Sequence, residues 1–391
     1  MRQLTKEKKV LFVIPSIKIG GIENALLNML EHFDYSKYDV YLFVFHLDEE
    51  RSKKINKNVK VLTGGRLLDA AAMTLSEAKS TGKITYISRV ALAVACKVFG
   101  SNSVFKAIFF FEKSITDMDC VISYSNNVNL KTTYFGANLF ALTKVRATKK
   151  IAWLHVDYDA MHMDSAVNNN EYRSFDGVIA VSKAVKDSFV RCNPMMSEKT
   201  HVVYNVLPKN AYTVVKQESD RLEKKIVTVG RLDPNKNQIE CIKIAHKLKE
   251  DGISFKWYLI GDGQDRQTLE QHIGNAGLQN EVLITGYTDD VKGLIGDADL
   301  FVSTSLSESY GMAVVEAQAM GVPAVVKEYP AAKEIVDGEN GILVSDYDTM
   351  YQEIKKLLID EKVYKRLKDE TKVLCNDKES MEHLYDIIDS L

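Results

Sequence analysis

Two carboxylates, Glu308 and Glu316, flank a Tyr310-Gly311-Met312 step in the stretch 303–323, STSLSESYGMAVVEAQAMGVP. The apolar run 298–302 before it has the length of a short buried strand. The hydroxyl-rich 303–309 follows as a loop, and the apolar-periodic run closed by Gly321-Val322-Pro323 predicts a helix beginning near Tyr310. Such a helix start aims unpaired N–H groups and its positive dipole end into the loop, which suits a phosphate. Glu308 in the loop and Glu316 about two turns on would face one crevice. Carboxylates repel phosphate, so these two call for a partner rich in hydroxyl donors, such as a sugar or a ribose. Taken alone, such a pair is more often a solvated face with a helix cap. The rest of the chain decides.

With 391 residues and 44.0 kDa, the chain exceeds what one hydrophobic core organises, and two domains of about 200 residues are expected. Its 46% apolar and 27% charged residues are those of an ordinary globular protein. Five cysteines, at 96, 120, 192, 241 and 375, share no C-x-x-C spacing and read as reduced thiols in a cytoplasmic protein. The apolar run at the N-terminus is too short for a signal peptide or a span. The net charge of -2 conceals an asymmetry: residues 1–205 hold 28 Lys/Arg against 20 Asp/Glu, the remainder 23 against 33. A basic first half fits an anionic lipid surface or scattered solubilising charge equally well.

Along the chain, strand 8–15, the turn with Gly20-Gly21 and a helix through His32 open a Rossmann-like unit. The spacing is not GxGxxG, and the turn reads as a plain βα connection or as a ligand contact. Runs 84–99 and 104–111 are too short and too interrupted to span a bilayer. They predict core helices, with helices lying on a membrane surface as the alternative. Strands are expected at 120–124, 151–155 and 178–181, and His155 falls at the C-terminal end of the second, where open α/β sheets bind ligands. Asp117-Met118-Asp119 resembles a metal-binding DxD but precedes its strand, at the wrong end of the sheet. Polar residues 209–224 read as a linker. A second alternation then starts at Lys225: Gly230-Arg231 through Lys236, Gly261-Asp262-Gly263 and Gly286-Tyr287 each close a strand with small or charged residues. A guanidinium and an ammonium in one loop, Arg231 and Lys236, can grip a diphosphate by a fork and a point charge.

In order and spacing, GRLDPNKNQ at 230–238, GDG at 261–263, GY at 286–287, the E-x7-E of Glu308 and Glu316, and EIVDGENGILV at 334–344 resemble the retaining nucleotide-sugar glycosyltransferases of family 4 (glycosyl transferases group 1). The resemblance implies an α/β protein of GT-B fold, two Rossmann-like domains facing each other across a cleft. The first domain, 1–207, would bind acceptor, 208–224 would link, 225–375 would hold the donor, and helix 376–391 would pack back on the first domain. It further implies a hexosyltransferase-type enzyme passing sugar from a nucleotide-diphosphate sugar, expected to be uridine-linked, to a saccharide or lipid-linked saccharide acceptor in cell-surface polysaccharide or glycoconjugate synthesis.

Position by position, Arg231 and Lys236 would hold the donor diphosphate, with the backbone of Gly230, Tyr310, Gly311 and Met312 beside them. Glu316 would accept from the ribose and Glu308 would contact the donor sugar. Backbone at Gly261 and Tyr287 would serve the nucleotide, Gly20 and Gly21 would approach the phosphates, and His155 would line the sugar and acceptor side. Glu308, Arg231, Lys236 and His155 make up the expected catalytic set. No cofactor, metal or nucleic acid is called for, and peripheral contact with an anionic membrane, at the inner face of the plasma membrane, accompanies the cytoplasmic location. The segment 328–334, EYPAAKE, departs from the glycine pair that many relatives carry near the donor sugar, which leaves the sugar open. A catalytically silent GT-B-like subunit or chaperone, and an epimerase on the same fold, are the competing readings.

Overall fold

The computed structural model describes residues 8–18, 20–126, 136–208, 223–288, 290–374 and 376–390. The expected linker lies mostly outside them, as does Ile19 in the first glycine turn. The chain divides into two compact units: 1–208 together with 377–391, and 209–376.

In the first unit β1 (Lys8–Ser16), β2 (Tyr38–His46), β3 (Lys60–Thr63), β4 (Ile115–Ser123), β5 (Val145–Leu154), β6 (Gly177–Ala180) and β7 (Thr200–Val202) form a sheet of order β3-β2-β1-β4-β5-β6-β7. All its pairings are parallel. Parallel strands covered on both faces need continuous apolar runs, and Val10 to Val13, Ile151 to Leu154 and Val178 to Ala180 supply them, all buried. The helix Asp377–Asp389 belongs to this unit although it follows the second one in sequence. It seats Tyr385 in a stack on Tyr38 at 5.1 Å, with Phe33 edge-on at 5.4 Å. Tyr385 Oη receives the Asp34 N–H at 2.8 Å, and Lys149 Nζ donates to the Ile387 carbonyl at the helix's C-terminal end.

The second unit repeats the plan with β8 (Lys224–Val229), β9 (Phe255–Ile260), β10 (Val282–Gly286), β11 (Leu300–Ser303), β12 (Ala324–Lys327) and β13 (Ile342–Val344), in order β10-β9-β8-β11-β12-β13. Ile226, Trp257, Val302 and Val325 from four strands meet Cys241, Ile244 and Leu248 of the helix Ile239–Glu250 in one core. Both sheets reverse their order beside the first strand, and this switch point is where such sheets bind ligands, beyond the strands' C-terminal ends.

Three expectations need correction. The runs 84–99 and 104–111 form the helices Lys83–Phe99 and Ser101–Phe110, but the first buries only Arg89 and Cys96 and turns Ile84, Ile87, Val94 and Val98 outward. Packing is therefore not what its apolar stripe serves. Asp117 and Asp119 lie inside β4 rather than before it, at a register shift near its N-terminal end. Asp117 pairs with Lys9, and Asp119 accepts the Lys9 backbone N–H at 2.7 Å. The helix after β11 starts at Met312, two residues late, because Gly311 takes a left-handed φ of 101° and the Tyr310 ring is buried. Among the described residues no helix is long and apolar enough to cross a membrane, and the four described cysteines are free thiols.

Candidate functional site

The second unit's predicted residues gather at the C-terminal ends of β8, β9, β10 and β11. Close backbone approach joins the first three. Gly230 N–H donates to the Ile260 carbonyl at 3.0 Å and Gly261 N–H to the Gly286 carbonyl at 3.1 Å. A Cβ at Gly261 would lie 2.0 Å from the Gly230 carbonyl oxygen, so only glycine fits this contact. The exposed Tyr287 follows Gly286 at the same edge.

The loop after β8 is stitched to the loop after β11. Leu306 N–H donates to the Asn235 carbonyl at 2.8 Å, Asn235 Nδ2 to the Ser307 carbonyl at 2.8 Å, and Thr304 Oγ1 to the Lys236 carbonyl at 2.9 Å. Asn237 holds a positive φ of 51° and reaches Tyr347 Oη at 2.7 Å, which in turn donates to the Thr304 carbonyl at 3.2 Å. These bonds carry Lys236 to Glu308. The two form an ion pair with both side chains about one-fifth exposed, and Ser305 Oγ donates to the same Glu308 oxygen at 2.8 Å. Arg231 stands differently: its side chain is three-quarters exposed and its guanidinium is paired with Asp233 at 2.9 Å.

Beyond Glu308 the chain turns at Gly311 into the helix Met312–Ala319, which offers backbone N–H groups. Glu316 sits on that helix, half-buried, and burial pushes its carboxyl up to about 7 against the pull of Lys292. Tyr329, noticed in the sequence only as part of the EYPAAKE departure, packs its buried phenol against Gly311. A Cβ there would come within 2.4 Å of the Tyr329 oxygen, which has no hydrogen-bond partner among the described residues. Burial and the negative charge of Glu308 both raise this phenol's pKa, so it stays a neutral hydroxyl.

Gly20, Gly21 and His155 belong to the first unit. Gly20 caps the helix Gly21–His32 in extended conformation, and Gly21 has open space where a Cβ would stand. Glu23 folds back over this start: a Cβ on Gly20 would meet its Oε2 at 2.3 Å. Burial raises the Glu23 pKa, while its own backbone N–H, Arg51 and Lys18 pull it down. The sequence reading missed this carboxylate, although an acidic residue in a first helical turn is an ordinary capping signal. His155 is buried against Tyr124 at 4.3 Å, with its ring parallel to Trp153. Burial pushes it down to about 3, so the ring is neutral, and neither nitrogen has a partner among the described residues.

Two doubly wound parallel units, the second with a basic strand-end loop bound to a carboxylate loop ahead of a helix start, define the GT-B fold. Residues 213–373, which fall in the second unit, match the family described as "Glycosyl transferases group 1". A poly(glycerol-phosphate) alpha-glucosyltransferase of Bacillus subtilis (strain 168) is 30% identical over 150 residues, 37% of this chain and 22% of that protein. The N-acetylgalactosamine-N,N'-diacetylbacillosaminyl-diphospho-undecaprenol 4-alpha-N-acetylgalactosaminyltransferase of Campylobacter jejuni is 23% identical over 252 residues, 63% of this chain and 68% of that one. This chain therefore spans under a quarter of the first relative and about two thirds of the second. Among solved structures, Anabaena Alr3699/HepE in complex with UDP superposes with a TM-score of 0.70 at 19% identity, covering 98% of this chain and 100% of that one. That likeness concerns the fold.

Proposed function

We propose that the protein is a cytoplasmic retaining glycosyltransferase of family 4 that moves a sugar from a UDP-sugar to a saccharide or lipid-linked saccharide acceptor. The observation that carries this reading is the Lys236–Glu308 pair, held at the switch point with the exposed Arg231 in the same loop as Lys236 and a helix start after Glu308. A diphosphate seated there meets two cations and backbone N–H groups, and a sugar beyond it meets Glu308. In the reaction the bond from the anomeric carbon to the diphosphate oxygen breaks and a bond to the acceptor oxygen forms on the same face. The acceptor proton passes to the departing phosphate oxygen. Lys236 and Arg231 stabilise the charge growing on that phosphate and take the place of a divalent metal. Glu308 positions the sugar and opposes the positive charge of the transition state electrostatically. Burial keeps the His155 ring neutral, so it carries no proton in this step.

The uridine assignment draws on a relative in fold that was solved with UDP. Thermal unfolding across a panel of nucleotides and nucleotide sugars tests it, because a ligand that binds only the native state adds about 2.7 kcal/mol at 100 times its Kd. A selective rise with UDP and one UDP-sugar is expected. No rise with any nucleotide would return the chain to the silent-subunit reading.

Glu316 makes the affinity depend on pH. Ribose hydroxyls donate to an ionised carboxylate, whereas the free carboxyl, with its pKa about 7, is largely protonated at pH 6. Binding below pH 7 thus costs a proton release, so UDP affinity should climb up to about tenfold per pH unit towards 7 and flatten above it. Calorimetric titration from pH 6 to 8 measures this. Glu316→Gln should bind more weakly with a flat profile, and a wild-type profile without slope would remove Glu316 from the ribose.

A further inference from the structure

The helix Lys83–Phe99 is built inside out. Ile84, Ile87, Ala91, Val94 and Val98 recur at spacings of three and four and share one face, and that face is the exposed one, with Ile84 83% open. Its inward side holds Arg89, whose Nε donates to the Met73 carbonyl at 2.6 Å, and Cys96. Phe99, 70% exposed, ends this helix, and Phe110 and Phe111, 82% and 80% exposed and packed edge-on at 5.4 Å, stand at the far end of the helix Ser101–Phe110. A stripe of this kind normally faces a core, and here none of the described residues of the unit covers it.

Charge selects the occupant. Residues 78–111 contain no Asp or Glu, whereas Lys79, Lys83, Lys97 and Lys106 are all exposed around the apolar face. We infer that these two helices dock the protein on the surface of an anionic lipid bilayer, with the aliphatic stripe and the Phe110-Phe111 corner entering the acyl boundary and the lysines resting among head groups. A second copy of the chain fits less well, since a two-fold contact places the patch on itself and brings lysines against lysines. The inference rests on exposure and charge and does not depend on sugar transfer, so either can fail without the other.

Flotation of the full chain with phosphatidylcholine vesicles, with and without phosphatidylglycerol, tests it. Binding is expected only with phosphatidylglycerol and should weaken as salt rises. Lys83→Gln, Lys97→Gln and Lys106→Gln together should reduce binding about 100-fold, at roughly fivefold for each lysine near the surface. Ile87→Glu with Val94→Glu should abolish it. Both substitutions lie on an exposed face, and an unchanged thermal unfolding midpoint shows that the variant is folded. Absence of the wild type from floating anionic vesicles at low salt overturns the inference, as does flotation that neither variant alters. Light scattering that shows a dimer dispersed by Val94→Glu would assign the face to a second copy instead.

Discussion

Replacing Lys236 by alanine is expected to lower kcat/KM for sugar transfer by about a thousandfold or more, near 4 kcal/mol of transition-state stabilisation. Two effects add. The ammonium that meets the departing phosphate is lost, and Glu308, to which it is paired, is left beside the diphosphate as an uncompensated anion. The fold itself should change little, because Thr304 bonds to the Lys236 backbone carbonyl, which alanine keeps. Glu308→Gln provides the contrast. It frees the lysine, so UDP binding holds or tightens while transfer falls. Steady-state kinetics beside UDP titrations separate the two variants, and a Lys236→Ala enzyme with more than a tenth of wild-type activity would falsify the role given to this residue.

Gly261→Ala should be the most destabilising small substitution at the site. The added methyl would stand 2.0 Å from the Gly230 carbonyl oxygen, a backbone atom that cannot step aside without dragging the Arg231 loop, and the position carries a φ of 141°. Overpacking and the strained backbone together cost about 3 to 5 kcal/mol. For a unit of this size that lowers the midpoint of thermal unfolding by about 10 °C or more. Circular dichroism melts measure it, and a variant melting with the wild type would show that the β8 and β9 ends sit further apart than described. Gly21→Ala is the natural control, because a Cβ there meets nothing within 4 Å.

Strand-end chemistry was legible because a doubly wound sheet forces it into the sequence. A short apolar run must end in residues that allow the chain to turn, and Gly230, Gly261, Gly286 and the hydroxyls 303–305 mark those ends directly. The pairing of Lys236 with Glu308 was not legible in the same way. The two lie 72 residues apart and meet only because β8 and β11 are neighbours, which is a property of topology. Tyr329 could be seen to differ from a glycine pair, but that its hydroxyl lands against Gly311 depends on the packing of β12 beside β11. The helix Lys83–Phe99 failed for another reason. Periodicity reveals that a helix has an apolar face and says nothing of whether protein lies on the other side of it. Its lack of acidic residues was present in the sequence throughout and was the better guide.

The docking of the helix Asp377–Asp389 on the first unit bears on how the protein is made. As residues 1–208 leave the ribosome, Phe33 and Tyr38 have no Tyr385 to cover them, and the helix that supplies it follows only after 168 further residues. At ordinary rates of synthesis that interval is roughly 10 to 30 s. Throughout it, a nearly complete sheet offers an aromatic slot to its surroundings. The interval is spent making the second unit, whose chain is therefore complete before that of the first, which is finished only by the helix Asp377–Asp389.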